Sequence, residues 1–217
     1  MNTFSEENYL KAILRLSQRS DEKISATAIA ETLGNNAASV IDMIRKLTDK
    51  NLIAYDKKKG AKLTPQGLKD ATLILRKHRL WEVFLQEKLG YNWAEIHDIA
   101  EQLEHVSDAA LADRLDEFLG FPEHDPHGDP IPTANGKLPK AYTVSLAEVK
   151  EGLICRVAAV RDTSSSFLQY LKKLGIGIGS QIQIVEKISY DGSLVIRIND
   201  EEKVTVSQKF SENILVN

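Results

Sequence analysis

The chain has 217 residues, 42% hydrophobic and 27% charged, with a formal net charge of −3; this is the composition of a soluble globular protein, not of a polycation or a disordered tail. One cysteine, Cys155, excludes an internal disulfide framework and fits a reducing compartment. No apolar run approaches the ~18 residues needed to cross a bilayer, and MNTFSEENYL lacks the regions of a secretory signal, so a cytoplasmic protein without a membrane partner is expected.

The charge is uneven. Residues 1–64 carry 11 Lys+Arg against 8 Asp+Glu, and the remainder is acidic. A basic front and an acidic back suit a nucleic-acid module joined to a cation-binding one. Ser5 can cap a first helix running to about Leu16, with Tyr9, Leu10, Ile13 and Leu14 on its buried face. Ser25 caps a short helix ended by Gly34. After Asn35-Asn36 a third helix repeats Val40, Ile44 and Leu47 at i, i+4, i+7. Helix, glycine turn, helix is the helix-turn-helix pattern. The polar or small residues Asn36, Ala38 and Ser39 at its start allow close approach to a base edge, while Arg45 and Lys46, further along it, are candidates for phosphate contact. Leu52–Tyr55 and Lys62-Leu63 then read as a hairpin with Lys57, Lys58 and Lys59 at its tip. A hairpin placed here is the wing of a winged helix. Its lysines are positioned for phosphate, which supplies affinity but no sequence choice.

Thr64 caps and Pro65 opens a long helix that is expected to reach Leu89 before Gly90. It carries His78 and Glu82 at i, i+4. A further helix, about Asn92 to Glu104, contains IHDIAEQLEHV, where His97, Glu101, Glu104 and His105 share one face. Two imidazoles and two carboxylates are costly to bury uncompensated, and a divalent cation would compensate them; a solvated helix face is the alternative. Ser107 or Asp108 caps the next helix, which Gly120 ends. Phe121–Tyr142 holds five of the six prolines and reads as a linker, with Glu123, His124, Asp125 and His127 as possible ligands. From Ser145 onwards the strand-like runs Ile154–Val160, Gln181–Ile188, Leu194–Ile198 and Val204–Val206, with one short helix, fit a small β-barrel.

This order of parts resembles the diphtheria-toxin-repressor family, which includes iron-dependent repressors and manganese transport regulators. RKHRLWE, IHDIAEQLEHV and DPHGDPIP are the most specific segments, and the likeness covers essentially the whole chain. It implies a mainly α N-terminal part followed by a small SH3-like β-barrel of the FeoA type. The parts are a winged helix-turn-helix over 1–74, a helical metal-binding and dimerisation domain with its linker over 75–142, and the barrel over 143–217. It implies a homodimeric, metal-dependent repressor of metal-uptake genes that binds double-stranded operator DNA, not an enzyme, and with no small-molecule substrate. Glu101, Glu104 and His105 fall on the family's primary metal site and Asn8 on its N-terminal ligand position, where manganese-type members carry Asp and iron-type members Met. Lys11 stands where some manganese members have Glu. His78, Glu82 and His97 match the ancillary site of the iron-type members. Related regulators build a second site from residues matching Glu82, Asp125 (in place of Cys), His127 and Asp162. Oxygen donors with imidazole suit Mn²⁺, with Fe²⁺ as the alternative and Zn²⁺, Co²⁺ or Ni²⁺ able to bind in vitro. Two other readings are a metal-dependent hydrolase, for which no nucleophile elbow, P-loop or HExxH is present, and a winged-helix regulator without metal.

Overall fold

The computed structural model describes residues 2–19, 23–106, 108–199 and 201–217. The expected cap Ser107 lies outside them. Two compact units are present: one of residues 1–78, 101–115 and 132–138, the other of residues 79–100, 116–131 and 139–217.

In the first unit, α1 (Phe4–Arg19), α2 (Ala26–Leu33) and α3 (Ala37–Asp49) are followed by the hairpin β1 (Ile53–Asp56) and β2 (Gly60–Leu63) and the start of α4 (Pro65–Glu87). The α2 caps are those expected, but α1 starts at Phe4 and is capped by Thr3 rather than Ser5: the Thr3 hydroxyl accepts from Glu6 N, and Thr3 N donates to Glu6 Oε2 at 2.8 Å. Ser25 accepts a hydrogen bond from Ala28 N, Gly34 closes α2 at φ 63°, and Asn36 accepts from Ser39 N at 2.9 Å. The core joins Tyr9, Leu10, Ile13 and Leu14 of α1 to Ile29, Val40, Ile44, Leu47 and Ile53. Each such side chain contributes about 1.5–3 kcal/mol when fully buried. The wing pairs Ile53 with Leu63 and Asp56 with Gly60. The Asp56 Oδ1 accepts from the backbone N–H of Lys58 and of Lys59, which fixes the tip.

The second unit holds α5 up to Ala100, the end of α6 (Ala109–Phe118), the linker and the C-terminal sheet. Helix α5 spans Ile96–Leu103, later than expected, because Asn92 and Glu95 form a turn instead: Glu95 N donates to Asn92 O. Strands β3 (Ile154–Val160), β4 (Gln181–Lys187), β5 (Leu194–Ile198), β6 (Lys203–Val206) and β7 (Ile214–Val216) form one antiparallel sheet in the order β6-β5-β4-β3-β7. Among the described residues it is an open sheet, so the barrel is not closed. Ile182, Ile184, Leu194, Ile196 and Ile198 alternate inward against α7 (Ser165–Lys173), through Leu168 and Leu171, and against Phe210 of α8 (Gln208–Glu212). The sequence pattern missed α8 and β7. Three residues, Ile214–Val216, are too few to show a period.

Gly67 lies inside α4, where alanine ordinarily gains up to about 1 kcal/mol. A Cβ here would stand 1.9 Å from Leu52 O, so the backbone would have to move, at a typical overpacking cost of 1–3 kcal/mol. Gly67→Ala is therefore expected to lower the thermal midpoint by a few degrees in calorimetry. A rise would show that helix propensity wins.

Candidate metal centres and nucleic-acid interface

Two clusters of buried polar side chains are present, one in each unit. In the first unit, Glu101 and Glu104 at the end of α5 meet α1 and α4. Lys11 Nζ lies 2.6 Å from Glu101 Oε1 and 2.5 Å from Glu104 Oε1. The Lys11 and Glu104 side chains are 4% and 0% exposed, so these charges are out of water and must satisfy one another. His78 Nδ1 is 2.6 Å from the other Glu104 oxygen. His105 Nε2 is 3.7 Å from Glu104 Oε1, and its Nδ1 is 2.6 Å from Glu7 Oε2. Burial opposes ionisation of Glu101, but the Lys11 ammonium outweighs it and holds that carboxyl below the usual range. Asn8, one turn before Lys11, has its Oδ1 buried with no hydrogen-bond partner among the described residues. A buried carbonyl left without a donor costs about 1–3 kcal/mol. A cation close to it would satisfy it, and the carboxylates and imidazoles of the cluster are donors that fit a divalent metal.

In the second unit, Glu82, Asp125 and His127 offer ligand atoms that all lie within 4.8 Å of one another, and all three residues are buried. His127 Nε2 is 3.1 Å from Trp93 O, and Nδ1 is 3.7 Å from Glu82 Oε2. The Trp93 carbonyl can only accept, so Nε2 carries a proton and Nδ1 faces the carboxylates. Burial opposes the imidazolium, but Glu82 and Asp125 raise the His127 pKa above its ordinary value. Burial, then Glu82 and Asp129, push Asp125 up as well. Arg79 partly offsets this: its Nε lies 3.4 Å from Asp125, and its other nitrogens reach Asp129 and Pro130 O. Such a site takes a metal by giving up protons. His97 Nδ1 is 3.3 Å from Glu82 Oε1 and half-buried. Asp162 is not in this group; its Oδ1 accepts from Ser164 N at the start of α7. Sequence reasoning did not single out Arg79 or Glu7. Glu7 shares the α1 stripe of Phe4, Asn8 and Lys11 at helical spacing, which was the available signal.

The linker is seated on the sheet. Val160 N donates to His127 O at 3.0 Å. Gly128 has φ +85°, and a Cβ there would fall 2.0 Å from Ala158 O. Only glycine fits, which accounts for the glycine of DPHGDPIP.

The candidate nucleic-acid residues fall on α3 and the wing, and all are exposed. Asn36 is engaged as the α3 cap, Arg45 lies 3.5 Å from Asp42, and Lys46 Nζ lies 3.1 Å from buried Glu6 of α1. Ala38 and Ser39 open the exposed face of α3. Lys57, Lys58 and Lys59 project from the wing tip, where Lys23 Nζ donates to Lys57 O.

Gly128→Ala is expected to lift His127 away from Glu82 and weaken metal binding at this centre by tenfold or more, the usual effect of disturbing a ligand's support. The first centre should keep its affinity. Calorimetric titration with Mn²⁺ would check this, and two unchanged binding events would count against it.

Comparison with known proteins supplies the family. Residues 1–61 match the iron-dependent repressor N-terminal DNA-binding domain, 64–133 the iron-dependent repressor metal-binding and dimerisation domain, and 144–217 the FeoA domain. A manganese-dependent transcriptional repressor in complex with manganese superposes with TM-score 0.89 at 34% identity, over 97% of this chain and 98% of that one. The manganese regulator SloR superposes with TM-score 0.82 at 35% identity, over 98% and 97%. The diphtheria toxin repressor of Corynebacterium glutamicum is 27% identical over 210 residues, 89% of this chain and 91% of the relative. These relatives are repressors, which sets aside the hydrolase reading. Helical DNA-binding and dimerisation modules with a C-terminal FeoA sheet, together with full-length identity above 30%, show that the chain belongs to the diphtheria-toxin-repressor family of metal-dependent transcriptional repressors.

Proposed function

We propose that this chain is a Mn²⁺-responsive repressor of metal-uptake genes, with Fe²⁺ as the alternative ion, acting as a homodimer on operator DNA. The observation that carries this reading is the buried cluster of Glu101, Glu104, His78 and His105 facing α1, with the unpartnered Asn8 Oδ1 on that helix. Asn8, Glu101, Glu104, His105 and His78 would hold one ion, and Glu82, Asp125 and His127 a second. The three-part division at 1–74, 75–142 and 143–217 belongs to this proposal, as does a cytoplasmic location. No helix among the described residues is long and apolar enough to cross a membrane.

Donor chemistry supports manganese. Neither centre includes a thiolate, because the single cysteine, Cys155, is buried in the sheet with its Sγ directed at Ile182 O. Carboxylate, amide oxygen and imidazole are hard to borderline donors. Without sulfur a site loses much of its bias towards zinc and cadmium, although affinity alone still ranks zinc above manganese. A bound ion would add positive charge to a junction of α1 and the end of α5 that Lys11 already bridges through Glu101 and Glu104. Helix α1 packs through Leu10 and Ile13 on α2 and α3, and Glu6 holds Lys46 and Lys50 of α3. Fixing α1 thus narrows the positions available to α3. In a dimer, two α3 helices must lie about one DNA turn apart, roughly 34–36 Å. The ion shifts this equilibrium only by its differential affinity for the ordered form. Exposed Leu89, Phe118 and Phe121, with Lys88 over the Phe118 ring, form an apolar face suited to self-association.

Glu104→Ala is expected to abolish Mn²⁺-stimulated operator binding while leaving a folded protein. DNA binding across a buffered metal series checks this, and a wild-type response to Mn²⁺ would overturn the assignment. Replacing Lys57, Lys58 and Lys59 with Ala should reduce the slope of log affinity against log salt by about one per lost phosphate contact; an unchanged slope would remove the wing from the DNA surface.

A further inference from the structure

We propose that Glu7 is a positioning residue for the first metal centre: it accepts a hydrogen bond from Nδ1–H of His105 and so leaves Nε2 as that imidazole's metal-binding atom. The inference rests on the centre proposed above and concerns how α1 is joined to it.

Glu7 Oε2 and His105 Nδ1 are 2.6 Å apart, across 98 positions of sequence. A carboxylate only accepts, so the proton of this pair sits on Nδ1. His105 Nε2 then faces Glu104 Oε1 at 3.7 Å, the side on which Glu101, Lys11 and His78 converge. The ring is held on its flat side too. Phe4 stacks on it with centroids 4.7 Å apart and planes at 19°. Phe4 and Glu7 are one turn apart on α1, so a single helix face grips both the edge and the face of the imidazole. The Glu7 and His105 side chains are 17% and 7% exposed, so water competes weakly for this bond.

Two consequences follow from carboxylate–imidazole pairing. The ring is fixed in one tautomer and one orientation, and its ligating nitrogen becomes a stronger donor. Both matter here because Asn8 contributes an amide oxygen with no charge. Glu7, adjacent in sequence, returns a negative charge to the α1 side through His105. Helix α1 is then joined to the centre twice, by the Asn8 carbonyl directly and by Glu7 through the imidazole. Loss of the Glu7 bond would free His105 to rotate or to bind through Nδ1, which would loosen α1 even with the ion in place.

The test uses full-length protein labelled with ¹⁵N-histidine, in a His127→Ala background so that one centre loads, with ¹¹³Cd²⁺ as spectroscopic probe and Mn²⁺ for affinity. The expected result is a protonated Nδ1 in the metal-free protein and cadmium coupling to Nε2 of His105 in the loaded one. Glu7→Ala should mix the two ligating nitrogens and weaken Mn²⁺ binding about tenfold. Glu7→Gln keeps an acceptor without the charge; it should retain Nε2 ligation and recover part of the affinity. Cadmium on Nδ1 in the unmutated Glu7 protein overturns the proposal, as do a coupling pattern and affinity unchanged in Glu7→Ala. If Glu7→Ala does not fold, the unmutated spectrum and Glu7→Gln still decide. His105→Ala separates the underlying reading: Mn²⁺ affinity unaffected by that change means His105 is no ligand, whereas a large loss with Glu7→Ala silent refutes only the role of Glu7.

Discussion

Two carboxylates a single helical turn apart cannot be buried together without positive charge, and the first unit is built around that requirement. Glu101 lies in the last turn of α5 and Glu104 just beyond its end; Glu104 is fully enclosed and Glu101 partly so. Placing one carboxylate in a low-dielectric interior costs several kcal/mol after relaxation. Here Lys11 spans both at 2.6 and 2.5 Å, and His78 meets the remaining Glu104 oxygen. The protein thus carries its own cation at this place. The cluster is a structured arrangement before any ion arrives, not a pair of repelling acids waiting for one. An ion entering it meets an ammonium already in position, which limits how much positive charge the pocket accepts.

Helix α1 translates that local charge balance into the position of α3. Lys11 reaches Glu101 and Glu104, and Glu7 meets His105. Glu6, one residue away and on a different face, lies 3.1 and 2.8 Å from Lys46 and Lys50 of α3. Burial opposes the Glu6 charge, yet these two lysines and the Thr3 backbone N–H bring its pKa down to about 2. Tyr9, Leu10 and Ile13 meanwhile pin α1 to the hydrophobic core. A sixteen-residue helix held this way moves as a rod. In the proposed mechanism, displacement of α1 at the first cluster would be passed to α3 through these contacts.

Much of this was legible from local pattern. The Ser25 cap, the Gly34 turn and the 3.6-residue period of α3 marked the helix-turn-helix, and alternating Ile182, Ile184, Ile196 and Ile198 marked the sheet. What stayed hidden has a common cause: it depends on pairing between distant segments. Strand β7 is legible only through its register with β3, where Val157 meets Val216 and Val160 meets Ile214. The small SH3-like β domain was legible, but whether its sheet closes was not, since closure is a property of sheet edges. At the site, helical spacing gathered Glu101, Glu104 and His105 but could not show Lys11 lying between the first two. Nor could it show that His78 sits 2.6 Å from Glu104 while Glu82, one turn along the same helix, lies by His127 and His97. The Arg79 contacts to Asp129 and Pro130 join residues about fifty positions apart, beyond any periodicity.

The position of Cys155 has a bearing on oxidative stress. A thiolate that ligates metal is also a target for peroxide, and its conversion to sulfenic acid releases the ion. Here the sulfur is set in β3, burial pushes its thiol pKa up, and its neighbour is a backbone carbonyl. The groups proposed to hold the metal are carboxylate, amide and imidazole, none of which peroxide readily attacks. With the proposed ligands, metal binding would not depend on the oxidation state of the chain's one thiol.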